Sequence, residues 1–143
     1  MRPRHAIKAD LPDVEALLQS CALPTDGIRD DTVKFHVSRD KTGLLGCAGI
    51  EILDNSVGLL RGVAVAERAR RAGLAALLVS ALVADVRLHG IESLVVSTNS
   101  AADYFSRLGF SPVDRTTMPP ELLASPKLSN GAARNMVLMS VEL

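Results

Sequence analysis

A chain of 143 residues, 48% hydrophobic and 22% charged, has the size and composition of one globular domain over 1–143. Its 16 Lys and Arg equal its 16 Asp and Glu, so no global field draws nucleic acid, and no basic run with interleaved aromatics is present. The start of the chain is polar, and the most apolar stretch, 73–86, is too short for a bilayer and carries Ser80 and Asp85. These features predict a cytoplasmic protein without membrane contact. Cys21 and Cys47 lie in apolar surroundings and read as reduced thiols.

The first predicted element is a short strand at 4–8. Asp10 reads as a helix N-cap, with Pro12 in the first turn, and Val14, Leu17, Leu18 and Cys21 recur at helical spacing. That predicts an amphipathic helix over 11–21, stopped by Pro24. Strands follow at 33–39, 44–53 and 57–65, separated by the turn sequences Asp40-Lys-Thr-Gly43 and Asp54-Asn55. Turns this short join antiparallel neighbours. A long helix follows residues 70–75, with Leu74, Leu77, Leu78, Ala81, Leu82 and Val86 on one face, and His89-Gly90 ends it. An apolar strand at 91–97, a helix at 101–108 and strands at 110–113 and 135–142 complete the chain. The connection 116–131 has room for a helical turn at 120–124. The order predicts an α+β fold with a mixed sheet, in which the crossover helix makes strands 57–65 and 91–97 parallel.

The chemistry concentrates where strand 57–65 gives way to that long helix. Gly73, Ala72 and Ala75 are small enough for a ligand to approach the backbone. The first amides of a helix lack internal partners, and its N-terminal end carries roughly +0.5 charge. Such an end suits a phosphate or pyrophosphate. Arg68, Arg70 and Arg71 add local positive charge in a neutral chain.

The run Arg70-Arg71-Ala72-Gly73-Leu74-Ala75 resembles the pyrophosphate signature of the GNAT acetyltransferase superfamily, Arg/Gln-x-x-Gly-x-Gly/Ala. Further on, Tyr104-Phe-Ser-Arg-Leu-Gly-Phe110 is similar to that family's late element, an aromatic pair followed by Leu-Gly-Phe. The resemblance covers nearly the whole chain. It implies a mixed sheet of about six or seven strands flanked by helices. It also implies acetyl-CoA as co-substrate, with no metal, and a small-molecule amine acceptor attacked directly in a ternary complex. Backbone amides of 71–75 would hold the pyrophosphate. Val63, Ala64 and Val65 would splay from strand 91–97 and meet the pantetheine arm, and a backbone N–H near Val63 would serve as oxyanion donor.

The acceptor half departs from the family pattern. The family often places a proton-donating Tyr five residues before the Phe of Gly-Phe. Phe105 stands there, and Tyr104 lies one residue away, a rotation of ~100° on a helix. Tyr104 is therefore either the acid or a boundary residue with its hydroxyl in solvent. The family's Asn after the central strand aligns with Thr98, beside Asn99. Either could bond the pantetheine arm or cap the next helix. The position of the family's basic Glu falls in Leu59-Leu-Arg-Gly62. Arg61 there reads either as solvated or as a ligand for an anionic acceptor. Glu51 and His36 are the remaining candidates for a base on nearby strands, directly or through water, with His36 also read as facing the acceptor. No His, Cys and Asp set has metal-ligand spacing.

The run 59–65, the segment 98–110 and the ending at Met139 also look similar to N-acetyltransferase-like proteins associated with arsenic resistance, relatives of which acetylate amino-acid analogues. Three functions stay open: an N-acetyltransferase for a small amine, a catalytically weak acyl-CoA-binding sensor or interaction module, and an unrelated phosphate binder. Exposed sheet edges leave room for a homodimer.

Overall fold

The computed structural model describes residues 2–52, 56–99, 101–125 and 136–143. The elements run β1 Arg4–His5, α1 Leu11–Ser20, β2 Val33–Asp40, β3 Gly43–Ile52, β4 Val57–Val65, α2 Leu74–Leu88, β5 Ser93–Thr98, α3 Ala102–Arg107, β6 Ser111–Pro112, α4 Pro120–Leu123 and β7 Val137–Glu142. They build a seven-stranded sheet in the order β1-β2-β3-β4-β5-β7-β6. Strands β2, β3 and β4 are antiparallel neighbours, as their short connections require, β1 pairs antiparallel with β2 from across α1, and β4 and β5 are parallel across the α2 crossover. The sequence-predicted α+β mixed sheet is the observed one. Among the described residues no helix is long and apolar enough to cross a membrane.

Helices cover both faces because alternate residues of the central strands are apolar on each. On one face α2 and α3 bury Ala48, Ile50, Leu60, Leu78, Leu82, Val96, Phe105 and Met139. On the other, Val14 and Leu18 of α1 pack on Phe35, Val37, Cys47 and Ala64, and Leu122 of α4 packs on Leu59, Val95 and Leu138. Gly90 closes α2 with φ +86°, the left-handed cap conformation expected of it.

Two expectations at the start of the chain are corrected. The strand 4–8 shrinks to Arg4–His5, followed by a 3-10 turn at Lys8–Asp10. Asp10 is not a helix-capping side chain: its backbone is helical and its carboxylate makes no cap bond into α1. The carboxylate is buried instead, accepting from Arg4, from Arg39 and from the Ile7 amide at 2.8–3.0 Å. The hydrogen bond from Arg4 is the largest cause holding this carboxyl well below the usual range, against the opposing effect of burial.

Candidate functional site

The site begins with a divergence in the sheet. β4 pairs with β5 only from Val57↔Ser93 to Leu60↔Val96, although β4 continues to Val65 and β5 to Thr98. A bulge explains the parting. Between Cys47↔Ala64 and Gly49↔Arg61 the β3–β4 register slips, so β4 carries one more residue than β3. Gly62 sits in that bulge at φ +61°, and a Cβ there would lie 3.0 Å from the Phe35 ring. Both facts favour glycine. The opening between the separated strands is a cleft of about 880 Å³. Gly62, Val63, Ala64 and Val65 line one side, Ser97, Thr98 and Asn99 another, and Cys21 to Pro24 a third.

One end of the cleft is the strand-to-helix loop. Arg70, Arg71, Gly73, Leu74 and Ala75 line it, with Ala72 exposed between them. Arg71 and Gly73 both adopt left-handed backbone, φ +68° and +76°. For Arg71, a side chain with a Cβ, this conformation is costly, so the loop is held by its surroundings. The first bond of α2 runs from the Leu77 amide to the Gly73 carbonyl at 3.1 Å. The amides of 71–76 donate to no backbone carbonyl among the described residues. A run of unpartnered donors at the positive end of a helix is an anion cradle. Nothing lies within 4 Å of where a Gly73 Cβ would be, so the space before it is open.

The arginines divide their work. Arg68 does not add free charge to the loop, because it is paired with Asp40 at 2.7 Å. Arg70 bends back, its Nε donating to the Val65 carbonyl at 3.0 Å and thereby fastening the loop to the end of β4. Arg71 is exposed.

Tyr104 lines the cleft from α3. Its hydroxyl is buried and has no hydrogen-bond partner among the described residues. Burial raises its pKa above the ordinary phenol value, against the opposing charge of Arg107, so it stays protonated at neutral pH. The solvent-facing alternative for this hydroxyl does not describe the structure. Phe105 also borders the cleft but is packed edge-on against Phe110 in the core. Thr98 accepts the Ala101 amide at 3.1 Å just ahead of α3, which has no side-chain cap bond of its own.

Arg61 lines the cleft and is only 4% exposed, so it is not the solvated residue of the alternative reading. Its guanidinium is engaged: Nη1 donates to Glu51 at 3.1 Å and Nη2 to the Asp26 carbonyl. Ser125 donates to Glu51 as well, 3.1 Å from both carboxylate oxygens. Glu51 is thus a buried, fully engaged carboxylate that does not border the cleft. His36 is on the α2 side of the sheet, its ring tilted 43° against that of His5, and does not border the cleft either. No Asp, Glu or His is among the described residues lining the cleft. The Cys47 thiol is buried and pushed up to about 12 by desolvation, so it is no nucleophile.

Sequence reasoning missed Ser125, the Asp26 carbonyl and the Gly62 bulge. The first two come from loops far along the chain and leave no spacing to read. Gly62 did leave a signal, as a lone glycine inside a run of branched residues.

A family model described as "Acetyltransferase (GNAT) family" matches residues 7–110. An uncharacterized protein of Bacillus subtilis (strain 168), YwlB, is 27% identical over 125 residues, covering 85% of this chain and 83% of that protein. The N-acetylglutamate synthase of Neisseria gonorrhoeae, solved with coenzyme A and N-acetyl-glutamate, aligns with a TM-score of 0.82 at 22% identity. That alignment covers 99% of this chain but 34% of the synthase, so the chain spans about a third of that enzyme. Rv2747 of Mycobacterium tuberculosis, solved in complex with CoA, aligns with a TM-score of 0.78 at 18% identity over 100% of this chain and 99% of that one. Signature loop, parted strands and family model agree, and the chain belongs to the acetyltransferase (GNAT) family.

Proposed function

We propose that the protein is an N-acetyltransferase that moves the acetyl group of acetyl-CoA to the primary amine of a small, amino-acid-like acceptor. The observation that carries this reading is the parting of β4 from β5 beyond Leu60, which opens a cleft running to the unpartnered amides of 71–76. The pyrophosphate binds those amides, and the pantetheine arm lies along Val63, Ala64 and Val65 as an added strand. The fold relatives solved with coenzyme A support this use of the cleft. The synthase solved with N-acetyl-glutamate supports the acceptor class.

In the reaction, the neutral amine attacks the acetyl carbonyl carbon. The oxyanion that forms takes a hydrogen bond from a β4 amide near Val63. The carbon–sulfur bond then breaks, and the thiolate takes the Tyr104 proton, which the raised pKa keeps in place. Thr98 and Asn99 border the arm. Glu51 acts through Arg61, which it fixes at the cleft wall, rather than as a base on the amine. The amine proton therefore leaves to water.

One observation favours a second reading, an acyl-CoA-binding module with little turnover: no carboxylate or imidazole lines the cleft among the described residues. Thiol release from acetyl-CoA over a panel of amino acids and small amines separates the two. The proposal expects turnover whose kcat/KM climbs with pH up to the acceptor amine's own pKa, without a break in the His or Glu range. Stabilisation by CoA without turnover on any amine would give the second reading; turnover limited by a group near pH 6 would contradict the base-free mechanism.

A further inference from the structure

Away from the cleft, the fold gathers three metal-ligating side chains from distant elements. His5 of β1 and His36 of β2 are directly opposed in the antiparallel register, so their side chains share a face. That face lies under α2, because His36 is also opposite Ala48, which packs against α2. The two imidazole rings stand 4.4 Å apart, centroid to centroid. Asp85 of α2 completes the group, its Oδ1 3.4 Å from His5 Nε2. One ligand atom from each of the three lies within 4.8 Å of the others. Within this group His36 is 5% exposed, and its Nδ1 is buried with no hydrogen-bond partner among the described residues. A buried polar nitrogen without a partner is costly unless something supplies one.

We propose that His5, His36 and Asp85 bind a divalent ion of the zinc class. Two imidazoles and one carboxylate are a donor set that suits zinc, with water in the open position. Bonds of about 2.0–2.1 Å in a tetrahedron place neighbouring ligand atoms roughly 3.3 Å apart. The His5–Asp85 distance of 3.4 Å already meets that spacing. Closing onto His36 requires only the two more exposed side chains to move, since His5 is 65% and Asp85 29% exposed. The ion would clamp β1 to β2 and α2, the last of which begins at the loop 71–76. It takes no part in acetyl transfer, and the inference does not depend on the function proposed above.

The test is a calorimetric titration of chelator-treated full-length protein with ZnCl2, repeated with MgCl2. One zinc per chain is expected, with no heat from magnesium, and zinc raises the melting temperature. His5→Ala and Asp85→Asn each weaken zinc by at least about tenfold, or 1.4 kcal/mol. Both sites are partly exposed, so both variants fold. His89→Ala, which removes the other imidazole near Asp85 (its Nδ1 lies 2.9 Å from the Asp85 carbonyl), leaves zinc binding unchanged. Absence of stoichiometric zinc binding, or zinc binding indifferent to His5→Ala and Asp85→Asn, overturns the assignment.

Discussion

Two parts of the cleft wall are built from different materials. The loop part is backbone: unpartnered amides at 71–76, left-handed Arg71 and Gly73, and a helix start. The Arg61 part is side chain: a buried guanidinium held by Glu51 and the Asp26 carbonyl, with Ser125 on the carboxylate. A backbone site tolerates side-chain change where its space stays open and its conformation suits a residue with a Cβ. A buried ionic network fails when any member is lost. Substitutions should therefore separate the two parts cleanly, stability suffering at one and ligand affinity at the other.

The largest effect is expected at the side-chain part. Arg61→Ala leaves the buried Glu51 carboxylate without its cation and should cost roughly 3–5 kcal/mol in urea unfolding. A loss under about 1 kcal/mol would mean that the pair is solvated and the contrast false. Next, Gly73→Glu places charge and bulk in the open space before the loop. It should weaken CoA about a hundredfold or more, 2.7 kcal/mol, with a smaller effect on stability. Unchanged affinity would move the pyrophosphate elsewhere.

A stability change remote from both parts supplies the reference. The Asp10 carboxyl is held low by Arg4 and Arg39. A depressed folded pKa gives stability that is present above the unfolded value, 3.8, and is lost as pH falls below it. Asp10→Asn should cost about 2 kcal/mol near neutrality, the scale of charge-assisted hydrogen bonds. It should also flatten the acid limb of the unfolding profile below about pH 4. An unchanged acid limb would refute the assignment to Asp10. Smaller still, Tyr104→Phe should lower kcat about tenfold, 1.4 kcal/mol, with CoA affinity intact. A thiolate leaves readily, so the effect is modest. An unaltered rate would show that water protonates the sulfur.

This contrast also explains what could be read from the sequence. The order of elements along the chain, the crossover helix and the loop 70–75 were legible because each is written in local pattern: alternation, helical spacing, a glycine and small residues before an apolar helix. The acceptor side was half legible. Arg61 and Glu51 stood out as charges in apolar strands, but their partnership was not readable, since Arg61 stands opposite Gly49 and meets Glu51 diagonally across the β3–β4 pair. Tyr104 was readable as a candidate but not in its orientation, which α3 packing sets. Asp10 was misread as a cap because Arg4 and Arg39, from the two flanking strands, compete for its carboxylate.

The central claim is that the amides of 71–76 hold the pyrophosphate of coenzyme A in the cleft opened by β4. Calorimetric titration of CoA into the wild-type chain and into Gly73→Glu tests it most directly. One CoA per chain for the wild type and about a hundredfold or greater loss in the variant is the predicted result. Equal binding to both, or a chain that binds a simple nucleotide in preference to CoA, would contradict it.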